Sequence, residues 1–441
     1  MKIDMHHTLP RPLDPGEAFF FMSDHIACMN FVVLAERNGH LDPSRIQGAL
    51  DLIQQENLLL QARICCAEEA GLRFESAPGL PIELYCHQAS ADNWQSWIEL
   101  ELSRPFAEGT APLMRCLYLE VAAPACCVLA LTFHHAVADG RSGTELLRRT
   151  LSLLATDALP PSSGVAAALP AMINVMPTRF RWADQPDAAK LLRNTLIADY
   201  RRHGALPPVP WLDIGASERI PRLIRRSFAA DVTRRLISQA RAQGTSVHGV
   251  LCAAQLLAQL KLRPGDEPGA FFLSCPVDMR AHLEPVPPLV PTGLFVSIVS
   301  ATFSVTPDTE VWQLAREVTQ QTRLQLDRGE GHLFFNMFGL DGTPVLPDRI
   351  APFQKKLMAS MPNTMVSNVG AVATVADDPA VESISFALCP MPYQTLFTAA
   401  SSYKDQLILN VGFDAAKLTE ENARILIQGA CDILAAAADV A

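Results

Sequence analysis

Apolar residues recur along the chain with two different periods, which predict strands and helices in alternation. Short runs rich in Val, Leu, Ile and Phe are typical of buried strands, and runs with an apolar residue every three or four positions are typical of helices. The pattern therefore predicts an α/β fold in which sheets are flanked by helices. The clearest predicted strands are residues 30–35, 126–133, 271–277, 293–305 and 406–413, and the clearest predicted helices are residues 43–58, 93–102, 231–242, 246–260 and 309–326.

Turn and linker signals divide this succession into two halves. Residues 14–17, Asp-Pro-Gly-Glu, predict an opening loop. Residues 156–170 are rich in Ala, Pro and Ser and predict a surface linker, whereas the proline-rich residues 206–210 exclude a helix. A helical pattern with many arginines lies between them, at residues 180–202. We therefore expect an N-terminal subdomain at residues 1–170, a linker or crossover at residues 171–214 and a C-terminal subdomain at residues 215–441.

Two adjacent histidines and an aspartate follow the predicted strand 126–133. Directly after them, Ser142 and Glu145 have the Ser-x-x-Glu spacing of a capping box, which predicts a helix start at this point. Catalytic groups are commonly held on such loops between rigid elements, so the loop is a candidate active site. A glycine at its end would let the chain turn sharply. The residues concerned are His134, His135, Asp139 and Gly140.

The loop could support chemistry in more than one way. An imidazole takes up a proton near neutral pH and is the commonest general base in enzymes. Neighbouring residues on a strand point to opposite faces, so either His134 or His135 could face a substrate. Asp139 could orient a histidine ring directly, or could fix the loop through a distant arginine. The alternatives are a hydrogen-bonded core histidine and a metal site. Zinc usually needs three or four ligands and no second cluster is evident, so no metal is predicted.

Composition and charge narrow the class of protein. The chain has 441 residues, of which 49% are hydrophobic and 19% charged, the balance of a folded globular protein. Its net charge of −10 argues against a nucleic-acid partner. No apolar run is long enough to span a bilayer, and residues 1–11 contain no signal-peptide core. No transmembrane segment is therefore expected.

Cysteine usage predicts a reducing, cytoplasmic setting. The eleven cysteines form no CxxC pair, and several lie in apolar runs, so we interpret them as small core residues. His248 lies near the start of the predicted helix 246–260. It has no acidic residue near it in the sequence, and we interpret it as structural.

The histidine loop resembles the HHxxxDG signature of the acyltransferase superfamily that includes chloramphenicol acetyltransferase. Condensation domains of peptide synthetases, polyketide-associated acyltransferases and alcohol acetyltransferases are further members. The resemblance implies two similar subdomains that form a pseudo-dimer with a tunnel between them. It also implies that His135 is the catalytic residue, with His134, Asp139 and Gly140 supporting the loop. The chain has no DFGWG stretch, which disfavours the plant-type branch.

The resemblance extends to residues outside the signature. Residues 276–280 resemble a P-V-D-x-R pattern whose arginine pairs with the signature aspartate, so Arg280 is the expected partner of Asp139. A solvated arginine after a strand is the alternative. Ser367 and Asn368 resemble an S-N-x-G strand near the tunnel and are candidate substrate-binding residues. An ordinary strand-to-turn junction would contain the same residues.

As a function, the resemblance implies transfer of an acyl group from a thioester to an alcohol or amine in lipid, polyketide or nonribosomal peptide metabolism. Acyl-coenzyme A or a phosphopantetheinyl carrier protein would be the donor substrate, and no bound cofactor is expected. His135 would take the proton of the acceptor, or would position the acceptor and stabilise the tetrahedral species. The alternative is a catalytically degenerate relative that binds a carrier protein or an acyl chain without turnover.

One span of the chain has the charge that would suit such a donor. Residues 179–241 carry thirteen Lys and Arg against six Asp and Glu, although the whole chain is acidic. Phosphates or an acidic carrier protein would be attracted to this span. We therefore predict donor docking at Arg222, Arg225 and Arg226. The alternative is that these arginines form solvated helix faces.

Overall fold

The structure is a computed structural model that describes residues 8–122, 125–162, 164, 168–182, 185–204, 219–263 and 267–439. Residues 206–210, whose prolines were predicted to exclude a helix, lie outside the described residues. The strands are β1 Arg11–Pro12, β2 Phe31–Asn38, β3 Ala62–Ala67, β4 Gly71–Ser76, β5 Glu83–Ala89, β6 Met114–Val121, β7 Cys126–Phe133, β8 Pro221–Phe228, β9 Gly269–Asp278, β10 Val296–Val305, β11 Asn363–Ala371, β12 Val381–Leu388, β13 Gln394–Tyr403 and β14 Gln406–Asp414. The α-helices are α1 Pro15–Asp24, α2 Pro43–Glu56, α3 Trp94–Ser103, α4 Gly140–Leu154, α5 Ala188–Arg202, α6 Ala230–Ala242, α7 Val247–Lys261, α8 Val311–Asp327, α9 Ile350–Met358 and α10 Glu420–Asp439.

The first large sheet has five strands in the order β12-β2-β7-β6-β5. Its central strand, β7, is antiparallel to both neighbours. Every residue of β7 after the first is buried, which explains its nearly unbroken apolar sequence. The strand ends at Phe133, so the histidine loop starts from the central strand of this sheet.

The second large sheet has six strands in the order β10-β9-β11-β13-β14-β8. Strand β9 pairs antiparallel with β10 and parallel with β11. Its side chains alternate between two environments. One face packs into a core shared with α7, α8 and α10 and contains Phe271, Leu273 and Cys275. The other face borders the cavities described below and contains Phe272, Ser274 and Pro276.

The C-terminal half of the chain contributes one strand to the first sheet. β12 comes from the C-terminal half but pairs with β2, and so completes the first sheet. The chain then returns to the second sheet as β13. The expected α/β arrangement of two sheet-bearing subdomains is therefore confirmed. The subdomain limits at residues 170 and 215 stay a prediction. No helix within the described residues is long and apolar enough to cross a bilayer.

Two predicted elements differ from the structure. The expected opening loop at residues 14–17 is instead the start of α1, because Asp14 caps the helix, Pro15 occupies its first position and Glu17 closes a capping box. The helix predicted at residues 180–202 begins only at Ala188. Pro186 lies just before this start, and a proline inside a helix would remove a hydrogen bond.

Candidate active site

The loop between β7 and α4 is fixed at its far end by Asp139. This residue is the N-cap of α4, and its Oδ1 accepts hydrogen bonds from the backbone N–H groups of Arg141 at 3.1 Å and Ser142 at 2.9 Å. The predicted capping box with Ser142 as cap is therefore wrong by three residues, since Asp139 is the cap and Ser142 is the third helical residue, which closes the box. An aspartate at this position satisfies two free donors at once and suits the positive end of the helix dipole.

Gly140 has a different role from the predicted one. It is the first residue of α4, and its φ is not in the left-handed region, so the loop makes no turn that requires glycine there. A Cβ at this position would lie 3.2 Å from Cγ1 of Val369. The residue thus allows β11 to pack closely against the helix start.

His135 is held in one tautomer by the loop itself. Its Nδ1 lies 3.1 Å from the carbonyl oxygen of Ala138. A carbonyl only accepts hydrogen bonds, so Nδ1 carries the proton and Nε2 keeps a free lone pair. The ring stacks on Phe20, with centroids 3.9 Å apart, and also packs against Phe31. Nε2 is bonded to no group in the described part of the chain, and the ring borders a cavity.

His134 points elsewhere. Its Nδ1 accepts a hydrogen bond from the backbone N–H of Ala136 at 3.1 Å, so its proton is on Nε2. The ring is buried and borders a separate pocket of about 690 Å³, together with Asp24 and His25. The structure therefore decides which of the two histidines faces the main cavity: it is His135.

Both histidines are neutral at physiological pH. Burial lowers the pKa of His134 and of His135 to about 4, because the imidazolium ion would lose its hydration. The Ala138 carbonyl and the charge of Asp139 raise the pKa of His135, but their effect is smaller than that of burial. A neutral imidazole with a free Nε2 is able to accept a proton.

Asp139 and Arg280 form a buried ion pair that joins the two halves of the chain. Nη2 of Arg280 lies 2.8 Å from Oδ2 of Asp139, and the two side chains are only 5% and 4% exposed. The same Oδ2 accepts a hydrogen bond from the backbone N–H of Phe295 at 2.9 Å. Burial raises the pKa of Asp139, but Arg280 and the backbone donors outweigh it and leave the pKa below its ordinary value. No hydrogen bond joins Asp139 to the His135 ring among the described residues, so the carboxylate fixes the loop rather than the imidazole.

Two further charged groups extend this pair towards solvent. Asp278 accepts a contact of 2.9 Å from Nη1 of Arg280 and one of 2.6 Å from Nη1 of Arg141. Arg141 is half-exposed and belongs to α4, whereas Asp278 ends β9. Charges therefore alternate from the buried aspartate to the rim of the cavity, and both Asp278 and Arg141 border it.

The main cavity lies between the two large sheets and has a volume of about 910 Å³. His135 and Asp139 border it from the first half, and β9, β10 and β11 form the opposite wall. Most of its wall is apolar. The aromatic side chains are Phe19, Phe20, Phe31, Phe335, Phe386, Tyr393 and Phe397.

Ser367 and Asn368 lie on β11 in the wall of this cavity. Oδ1 of Asn368 accepts a hydrogen bond from the backbone N–H of Gly370, so the side chain is oriented from its own strand. The structure thus places both residues in the same cavity as His135, and their role in binding substrate stays a prediction.

A second cavity, of about 720 Å³, adjoins the first and shares part of its wall. The shared residues are Ile298, Met365, Tyr393 and Gln394. Two cations, Arg193 on α5 and Lys356 on α9, also border the second cavity. Burial and the neighbouring Arg193 lower the pKa of Lys356. The two adjoining cavities therefore place a cationic region beside the cavity that His135 borders.

Comparison with known proteins gives consistent results. Residues 217–405 match the family model described as phthiocerol/phthiodiolone dimycocerosyl transferase C-terminus. The structure of polyketide synthase associated protein 5 from Mycobacterium tuberculosis is 17% identical and superimposes with a TM-score of 0.64 over 98% of both chains. Trichothecene 15-O-acetyltransferase from Fusarium sporotrichioides is 14% identical, with a TM-score of 0.73 over 97% of this chain and 95% of its own. The first condensation domain of the calcium-dependent antibiotic synthetase is 14% identical, with a TM-score of 0.70 over 98% of this chain and 97% of its own.

The chain has the chloramphenicol acetyltransferase-like fold. The fold that the resemblance implies is thereby confirmed over nearly the whole length, including the residues that the family model does not match. No characterised protein sequence matches the chain significantly. The chain therefore shares the fold of acyltransferases and condensation domains. The comparisons do not identify an acyl donor or an acceptor.

The arginines predicted to dock the donor have other partners in this chloramphenicol acetyltransferase-like chain. Arg225 on β8 forms an ion pair with Glu36 and lies 3.1 Å from Oγ of Ser383, so it joins the two halves. Arg222 is near two carboxylates, those of Glu99 and Glu420. Nη1 of the neighbouring Arg226 donates to the Arg225 carbonyl. Donor docking by these three residues stays a prediction, although their positive charge is largely used within the fold.

Several site residues were not identified from the sequence. Phe20, which stacks on His135, belongs to α1, a helix whose first residues were predicted to be a loop. Arg193 and Lys356 come from two helices that are far apart in the sequence. Asp278 lies inside the P-V-D-x-R pattern, two residues before Arg280, and that spacing was the available signal.

Proposed function

We propose that this protein is an acyltransferase that moves an acyl group from a thioester to an alcohol or amine acceptor. The observation that carries the proposal is the neutral His135 ring, whose Nδ1 is engaged by Ala138 and whose free Nε2 borders a large cavity between the subdomains. A general base needs this combination of a lone pair, a fixed orientation and room for the reacting groups. The matched fold of acyltransferases and condensation domains is consistent with it.

The proposed reaction needs one base and no covalent acyl-enzyme. Nε2 of His135 takes the proton from the acceptor hydroxyl or amine as the acceptor attacks the thioester carbonyl. The tetrahedral species then collapses, the carbon–sulfur bond breaks, and the departing sulfur recovers the proton from the imidazolium. Burial lowers the pKa of His135, so the imidazolium would give its proton back readily to the departing sulfur.

The cavity walls support a donor with an apolar acyl group and an anionic carrier. The aromatic lining next to His135 would bury a hydrocarbon chain, at about 0.8 kcal/mol for each methylene removed from water. Arg193 and Lys356 border the adjoining cavity and would attract the phosphate of a phosphopantetheine arm or of coenzyme A. Either carrier offers the same thioester.

A panel of acyl thioesters, on coenzyme A and on carrier proteins, should be offered with a pool of alcohols and amines, and the products read by mass spectrometry. We expect a new ester or amide that requires both substrates. His135→Ala should lower the turnover by about 10²–10⁴-fold, the usual contribution of a general base. His134→Asn is the matched control, because this side chain borders a different pocket and asparagine keeps an acceptor for the Ala136 N–H group.

The competing function is binding without turnover, as in a degenerate relative. Tight binding of an acyl thioester with no product, in a complete panel, would favour that function. Turnover that survives in His135→Ala while the fold is intact would refute the assignment of the base.

A further inference from the structure

A second group of reactive side chains lies on the face of β9 that points away from the cavity. His248 and Cys252 are one turn apart on α7, and Cys275 faces them from β9. Sγ of Cys252 is 3.5 Å from Nε2 of His248 and 4.0 Å from Sγ of Cys275. All three potential ligand atoms lie within 4.8 Å of one another.

These separations match the edges of a zinc coordination sphere. Zinc lies about 2.3 Å from a cysteine sulfur and about 2.1 Å from a histidine nitrogen, in tetrahedral geometry. Those bond lengths give edges of about 3.8 Å between two sulfurs and about 3.6 Å between sulfur and nitrogen. The observed 4.0 and 3.5 Å are close to both values. The third edge, between His248 and Cys275, is at most 4.8 Å, so closing the site would need a shift of about 1 Å at most there.

We propose that His248, Cys252 and Cys275 bind one Zn²⁺ ion, with water as the fourth ligand. This site goes beyond the proposed acyl transfer, which uses no metal. Sulfur and imidazole ligands favour zinc over magnesium or calcium, which prefer oxygen. The two thiolates would balance the charge of the ion, so no net charge would be buried in the apolar core around them.

The three side chains differ in their exposure to solvent. Cys252 and Cys275 are buried, whereas His248 is half-buried in the first turn of α7. An ion could therefore enter beside the imidazole and reach the two sulfurs. From the sequence alone, His248 was interpreted as structural and the cysteines as core residues. The four-residue spacing of His248 and Cys252 was the overlooked signal, since it places both on one helix face.

The experiment is metal loading of the reduced, full-length chain. The protein should be stripped with a chelator, titrated with Zn²⁺ and analysed for metal content after desalting. We expect one equivalent of zinc per chain. Titration with Co²⁺ should give the near-ultraviolet sulfur-to-cobalt charge-transfer band and the strong visible bands of tetrahedral thiolate coordination. Zinc should also raise the midpoint of thermal unfolding, because an ion that binds only the folded state stabilises it.

Variants separate this site from other thiols. Cys252→Ser and Cys275→Ser should abolish the cobalt band, and His248→Gln should weaken zinc binding by at least about tenfold. Cys431→Ser, in the same core but outside the cluster, should bind zinc normally. The proposal is overturned if the wild-type chain takes up no zinc, if cobalt shows no sulfur charge transfer, or if Cys252→Ser retains both. A Cys252–Cys275 disulfide in place of metal uptake would overturn it as well. The cobalt spectrum of the wild-type chain needs no variant, so it tests the site even if a cysteine variant fails to fold.

Discussion

Breaking the ion pair between Asp139 and Arg280 should destabilise the protein strongly. The contact is 2.8 Å long between two almost fully buried side chains, so removing one partner leaves the other charged and poorly solvated. Such a loss typically costs about 3–5 kcal/mol in free energy of unfolding. The structure allows the two substitutions to be ranked within that range.

Asp139→Ala should be the more damaging change. It removes the partner of Arg280 and also the N-cap of α4, which adds about 0.5–2 kcal/mol. Arg280 would keep one carboxylate, that of Asp278. In Arg280→Met, by contrast, Asp139 would keep three backbone donors, from Arg141, Ser142 and Phe295. We therefore expect Arg280→Met to lie near the lower end of the range, at about 3 kcal/mol.

Urea unfolding of the wild type, the two single variants and the double variant would form a thermodynamic cycle. We expect the double variant to lose less stability than the sum of the single losses, with a coupling of about 0.5–3 kcal/mol. Arg141→Ala is the matched control, since it breaks a half-exposed contact with Asp278 and should cost at most about 1 kcal/mol. Strict additivity, or a loss in Arg280→Met no larger than in the control, would refute the reasoning.

Other predictions concern protonation and the donor. Stability to urea should fall from pH 6.5 towards pH 4. His134 and His135 bind protons in the unfolded chain with a pKa of about 6.5, but in the folded protein only with a pKa of about 4. The free energy of unfolding should fall by about 1.4 kcal/mol per pH unit for each ring, and His134→Gln should make this dependence on pH shallower. For the same reason, protonation of His135 should not lower kcat/KM between pH 8 and pH 6. A fall in kcat/KM centred near pH 6.5 that no titrating group of the substrates accounts for would contradict the low pKa of His135. Arg193→Gln and Lys356→Gln should raise the KM for the thioester at low salt, with the effect shrinking at high salt. Lys355→Gln, exposed on the same helix but outside the cavity wall, is the control, and equal effects in all three would exclude a specific donor contact.

The histidine loop could be predicted from the sequence because its signals are local. A buried strand, two histidines and a capped helix all lie within residues 126–154, so no distant contact had to be guessed. Even here the cap was assigned three residues too late. Both Asp139 and Ser142 are favourable cap residues, and the choice depended on Phe295 and Arg280, which hold the other oxygen of Asp139.

The parts that were missed depend on long-range packing. The aromatic run at residues 19–21 is compatible with either a strand or a buried helix. The Asp14 cap and contacts with the C-terminal half of the chain favour the helix. Similarly, the pattern of β12 predicts a strand but not its sheet. Its pairing with β2 places part of the C-terminal half in the N-terminal sheet, which no local period encodes.

The proposed base is therefore oriented by both halves of the chain, although its motif lies in one. Ala138 fixes the tautomer of His135, and the next residue, Asp139, is fixed in turn by Arg280 and the backbone of Phe295. A loop so short transmits a displacement of Asp139 directly to the Ala138 carbonyl. Loss of Arg280 should then reduce turnover without removing any group that touches the substrate. The orientation of Nε2 would then depend on the assembled pair of subdomains. This would give the buried charge pair a role that an apolar contact, which would cost less to bury, could not fill.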